Sequence, residues 1–103
     1  MNIPELELAK NKTREVIELL RKNHIDRWAN TLHSNLDGMV GWYRTKERLY
    51  DIGAICHPRA MGDVMIPGLS HIQWTNKISD LEQACAIAFN LLERMPERDR
   101  DAI

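Results

Sequence analysis

Between residues 25 and 36 the apolar side chains Ile25, Trp28, Ala29, Leu32 and Leu36 fall three and four positions apart. An α-helix turns once in 3.6 residues, so this spacing gathers all five on one face, whereas a strand would scatter them over two. One face of this helix must be buried against something else. Upstream, Pro4 suits the first turn of a helix because its φ is already fixed near the helical value. Glu5 and Glu7 follow where the helix dipole favours negative charge. Leu8, Val16, Ile17, Leu19 and Leu20 then supply an apolar side as far as Asn23. The Asn23-His24 junction is so short that these two helices are predicted to form an antiparallel hairpin or one kinked rod. Asp37-Gly38 is the predicted stop, with the glycine in the left-handed conformation.

A third helix is predicted from Met39 to Tyr50, with Gly41 weakening its start and Gly53 ending it. Residues 54–76 lose the helical period, and Pro58, Gly62, Pro67 and Gly68 punctuate them. Pro67-Gly68 suits positions two and three of a type II turn. Val64 to Ile66 and Leu69 to Trp74 are then either two short strands about that turn or a structured loop. In the last helix Ser79 and Glu82 have the spacing of a capping box. Leu81, Ala84, Cys85, Ala88, Leu91, Leu92 and Met95 form its broad apolar face, and Pro96 helps end it. The alternating charges of Glu97 to Asp101 predict a frayed tail over 96–103. The predicted fold is mainly α: residues 1–103 as a single helical domain, a compact four-helix bundle with an irregular loop or short β-hairpin before the last helix.

Composition narrows the function classes. The chain has 103 residues with 14 Lys plus Arg against 15 Asp plus Glu, for a formal net charge of −1. Proteins that hold nucleic acid through its phosphates carry a basic excess or a basic face, so nucleic acid is not an expected partner. Mimicry of nucleic acid would need the opposite, an acidic excess. Cys56 and Cys85 are too few and too far apart for a disulfide framework or a paired-cysteine zinc site, and are expected as reduced thiols. With no signal-like start and no apolar run of membrane-spanning length, a cytoplasmic location and no membrane partner are the expectation.

Four histidines, His24, His33, His57 and His71, raise the question of a metal. Zinc needs three or four converging ligands, and the nearest approach to such a set is Cys56, His57, Asp63 and His71. Their spacing matches no metal motif, so no cofactor or metal ligand is assigned. Neighbours such as Cys56 and His57 point apart in an extended chain, so no catalytic residue is assigned either. The aromatics Trp28, Trp42, Trp74, Tyr43 and Tyr50 carry more information, since tryptophan and tyrosine combine large area with a polar handle and are enriched in interfaces. Trp28 lies on the apolar stripe of its helix. Trp42, Tyr43 and Trp74 are divided between core and interface. Arg44, Lys46 and Arg48, with Arg59, form a basic cluster that Glu47 and Asp51 partly neutralise, which fits a solvated helix face better than an RNA site.

The run Trp28-Ala29-x-x-Leu32, then Gly38, Trp42 in an aromatic-rich helix, Gly53 and the Met61-Gly62-Asp63 turn resembles a group of small bacterial helical proteins. Its members resemble immunity proteins encoded beside toxins of polymorphic or contact-dependent inhibition systems. The likeness covers the layout of residues 20–95. It implies a non-enzymatic protein that blocks a cognate toxin. The expectation is therefore a protein-binding module whose contacts come from Trp42, Tyr43, Arg44 and Arg48 of the third helix with Met65, His71 and Trp74 of the irregular segment. The alternatives are a small enzyme or metal-binding protein using Cys56, His57, Asp63 and His71, and a homodimeric structural module.

Overall fold

Helix α1 runs Pro4–Lys22 in the computed structural model, which describes residues 3–103. It buries Leu6, Ala9, Thr13, Val16, Ile17 and Leu20. This corrects one expectation: Leu8 is exposed, and Leu6, Ala9 and Thr13 continue the stripe in its place. Thr13 can be buried because its hydroxyl donates to the Ala9 carbonyl at 2.7 Å. The helix closes with His24 at φ 60. The Ile25 N–H reaches back to the Leu20 carbonyl and the His24 N–H to Arg21, which is the Schellman pairing of a left-handed helix end. Helix α2, Asp26–Asp37, folds back against α1, so the hairpin forms and the kinked rod does not.

Gly38 follows α2 in an ordinary right-handed conformation, φ −78, which corrects the left-handed stop expected there. Its missing side chain serves packing: a Cβ would lie 2.6 Å from Nε of Arg48. The left-handed glycine is Gly41, at φ 84, immediately before α3, Trp42–Ile55. This helix begins later than predicted and runs through Gly53, because Thr45, Leu49, Ile52 and Cys56 keep the four-three-four rhythm of a buried stripe.

Residues 56–70 form no strand, so of the two alternatives the loop holds. A 3₁₀ turn covers Met61–Asp63, with Met61 buried. Pro67 and Gly68 make the predicted turn: the Leu69 N–H donates to Ile66 at 3.1 Å and Gly68 sits at φ 85. Helix α4 spans His71–Glu93, nine residues longer at its start than the Ser79 cap implies. The capping box is Ser70-x-x-Gln73: Ser70 Oγ accepts the Gln73 N–H at 3.1 Å and Gln73 Oε1 accepts the Ser70 N–H at 2.8 Å. Ser70→Ala should lower stability by about 1 kcal/mol, read as a shift in urea midpoint, whereas Ser79→Ala, mid-helix and exposed, should leave it within about 0.5 kcal/mol.

Helix α4 packs against both α1 and α3; α1 also meets α2, and α2 meets α3 more thinly. The shared interior holds Leu20, Leu32, Leu49, Ile52, Trp74, Leu81 and Leu92, each 1% exposed or less. The body measures 46 × 21 × 21 Å. Among the described residues no helix is long and apolar enough to cross a membrane. The segment after α4 was expected to fray but forms a 3₁₀ turn over Glu97–Ala102, with Arg100 lying 3.9 Å from the Trp42 ring centroid and donating to the Met95 carbonyl.

Candidate functional site

Helices α3 and α4 run antiparallel. Trp42 at the start of α3 donates its indole N–H to the Leu92 carbonyl near the end of α4 at 2.7 Å, and Tyr50 lies against Phe89, their centroids 6.2 Å apart. A groove in two parts that share Glu82 runs along α4, the upper part between α3 and α4 and the lower part between α4 and the turn over residues 56–63. The upper part, about 410 Å³, has Leu49 and Cys85 at its base, Tyr50 and Phe89 as walls, and Gly53, Ala54, Ala86 and Asn90 around it. The lower part, about 330 Å³, is bounded by Cys56, Pro58, Gly62, Asp63, His71, Thr75, Ile78 and Ser79. Glu82 and Asp63 are the carboxylates of this lining, and no lysine or arginine belongs to either part.

Small residues keep the upper part open. Gly53 stands inside α3 at a cost of about 0.5–1 kcal/mol relative to alanine. No atom lies within 4 Å of where its Cβ would be, so packing does not demand a glycine. A position that breaks a local rule without a structural reason is where a functional constraint is expected. Tyr50, which lines the upper part, and Tyr43, two helical turns before it on the same face of α3, are 68% and 67% exposed.

The fold separates the sequence-predicted residues. Trp74 is 1% exposed, with its indole N–H bonded to the Met61 carbonyl at 2.9 Å. Of the two readings for it, core holds, and it presents no surface to a partner. Trp42 is half-buried and clamped within the molecule: Lys46 Nζ lies 4.1 Å and Arg100 3.9 Å from its ring centroid, and Lys46 also pairs with Glu93. Arg44 is exposed. Arg48 lines a polar cleft between α2 and α3 with Asn30, Thr31, Ser34 and Asn35, and lies 3.7 Å from Asp51. Lys46, two residues from each arginine, is turned away from both toward Trp42 and Glu93, so the basic cluster is divided. Met65 is 87% exposed on the loop, and His71 opens α4 at the lower end of the groove.

Three of the four residues of the enzyme alternative do meet: Cys56, Asp63 and His71 border the lower part of the groove. His57 does not, its Nδ1 accepting the Arg59 N–H at 3.1 Å. Burial pushes the Cys56 thiol up from 9.0 to about 12, with the nearby charges of Cys85 and Glu82 adding to the effect, and burial alone does the same to Cys85. Neither thiol supplies a thiolate at neutral pH. Among the described residues no three His, Cys, Asp or Glu side chains converge as metal ligands would. Sequence reasoning missed Gly53, Glu82 and Phe89 as a group. The signal was present as a second stripe, Glu82, Ala86, Phe89 and Glu93, running beside the core stripe of α4 at the same spacing.

Comparison with protein-family models, with curated proteins and with solved structures found no match for this chain.

Proposed function

We propose that the chain is a four-helix bundle acting as a non-enzymatic protein-binding module, and that the α3–α4 groove, with Tyr50 in its lining and Tyr43 two turns along the same helix face, is the binding surface. One observation carries this reading: a lengthwise groove, largely apolar in both parts, with Glu82 at their junction and Asp63 in the lower part, that the core does not fill and that the exposed Tyr50 borders. Exposed tyrosines beside an apolar recess supply rigid area at low entropic cost, the composition of an interface centre. The high thiol pKa values of the groove's cysteines support binding over nucleophilic chemistry.

The resemblance carried by Trp28-Ala29-x-x-Leu32, Gly38, Trp42 and Gly53 supports a more specific role: an immunity protein in the cytoplasm that covers the active surface of a toxin encoded beside it. A stable complex of this kind buries roughly 800 Å² on each partner. The test is co-expression with the product of the adjacent gene. Rescue of growth and a one-to-one complex in light scattering are expected, and Tyr50→Ala should weaken the complex by about 30-fold, the loss of one interface anchor. Its thermal midpoint should stay within about 4 °C, since an exposed side chain contributes little to folding. No complex and no rescue would sink the immunity role; a homodimer in light scattering would favour a structural module.

A further inference from the structure

We infer that the α3–α4 groove seats an amphipathic helix of a partner protein that carries one lysine or arginine to meet Glu82, with an aliphatic residue one turn away filling the space over Gly53. This deepens the binding-module reading and rests on it. Charge decides the occupant. Glu82 stands where the two parts of the groove join, Asp63 lies further down, and the lining holds no lysine or arginine to neutralise either. Asp63 and Glu82 are both exposed and neither takes part in an ion pair among the described residues. An acidic helix would be repelled; a wholly apolar one would cover the carboxylates without compensating them.

Shape agrees with charge. The upper part is apolar and open because Gly53 has no side chain, and Tyr50 and Phe89 wall it on opposite helices, the form of recess that receives aliphatic anchors spaced three and four along a helix. A cation one helical turn from such an anchor reaches about 5 to 6 Å along the groove, which is the scale on which Glu82 precedes Ala86 along α4.

The test is selection of a displayed library of helix-forming 16-residue peptides on the full chain, counter-selected on Gly53→Leu. Enriched peptides should carry Lys or Arg three or four positions from Leu, Ile or Met. As synthetic peptides they should bind Glu82→Gln about tenfold more weakly than the native chain, while versions with Gln in place of the cation should bind both chains alike. In NMR spectra their shifts should centre on Gly53, Glu82 and Ala86. Gly53→Ala keeps the control on folding: it should raise the thermal midpoint by roughly 2 to 8 °C while weakening the peptides at least fivefold. Peptides that need Gly53 but lack the cation would overturn the assigned partner chemistry and leave the binding module standing. Absence of enrichment, or peptides indifferent to Gly53→Leu, would overturn the groove itself.

Discussion

Trp74→Ala should cost the fold about 3–5 kcal/mol, the loss expected when a large aromatic is removed from a core. A domain of this size is held by about 5–15 kcal/mol in all, so the variant should be largely unfolded at moderate urea, or at 37 °C. Two effects add. The indole is 1% exposed among Ile78, Leu81 and the Met61 turn, so its removal opens a cavity that the rigid helices cannot fully close. Its N–H also bonds the buried Met61 carbonyl at 2.9 Å, and alanine removes that bond, leaving the oxygen only the Val64 N–H at 3.2 Å. Trp74→Phe separates the two, keeping most of the volume and losing the bond, and should fall between native and alanine by about 1–3 kcal/mol. Urea denaturation of the three proteins measures this. A loss under about 1 kcal/mol for alanine would mean that the turn at Met61–Asp63 is not anchored on α4.

The sequence signal for Trp74 was helical, and its surroundings hid it. Trp74, Ile78, Leu81, Cys85, Ala88 and Leu92 follow one another by four, three, four, three and four, the rhythm that marked α2. Two serines offered the same cap spacing, Ser70-x-x-Gln73 and Ser79-x-x-Glu82, and local pattern cannot rank them. Only the apolar stripe can, because a helix starting at Ser79 would leave Trp74 and Ile78 with no face to share. The reverse happened in α1. Leu8 looks like a stripe residue by type but falls off the face that Leu6, Ala9 and Thr13 define. Small and hydroxylated side chains carry the stripe there, and a residue-type reading passes over them.

The groove was less legible than the core for a physical reason. Periodicity reveals which face of each helix is buried, and it found the buried faces of α2 and α4. A groove is made where two helices fail to fill the space between them, so its signature is a pair of positions on separate elements, Gly53 on α3 and Ala86 on α4, each unremarkable alone. Gly53 in particular reads as a helix end, since glycine commonly stands there. Only the continuation of the stripe through Ile52 to Cys56 shows that the helix passes through it. The basic cluster failed for the complementary reason: Arg44, Lys46 and Arg48 are close in sequence, but the helix turns Lys46 away from the side that Arg44 and Arg48 share, and Arg48 is drawn into the cleft against α2.

The second large effect concerns alkaline pH. An unfolded cysteine loses its proton near 9.0, while burial holds Cys56 and Cys85 protonated up to about 12 in the folded chain. Between those values the unfolded chain has released protons that the folded chain keeps, so stability falls as pH rises; below pH 9 the full contribution is present. Each thiol gives a slope of about 1.4 kcal/mol per pH unit. From pH 9 to 11 the pair should remove about 5 kcal/mol, comparable to the whole stability of a small domain. The comparison is with Cys56→Ala/Cys85→Ala, which keeps every other ionisable side chain. The double variant should be somewhat weaker than the native chain at pH 8 and should change far less between pH 9 and 11. Equal slopes in the two proteins would mean that the thiols are open to water. The base of the groove would then hold reactive thiolates at moderately alkaline pH, and the case for a surface built to pack against a partner would lose its chemical support.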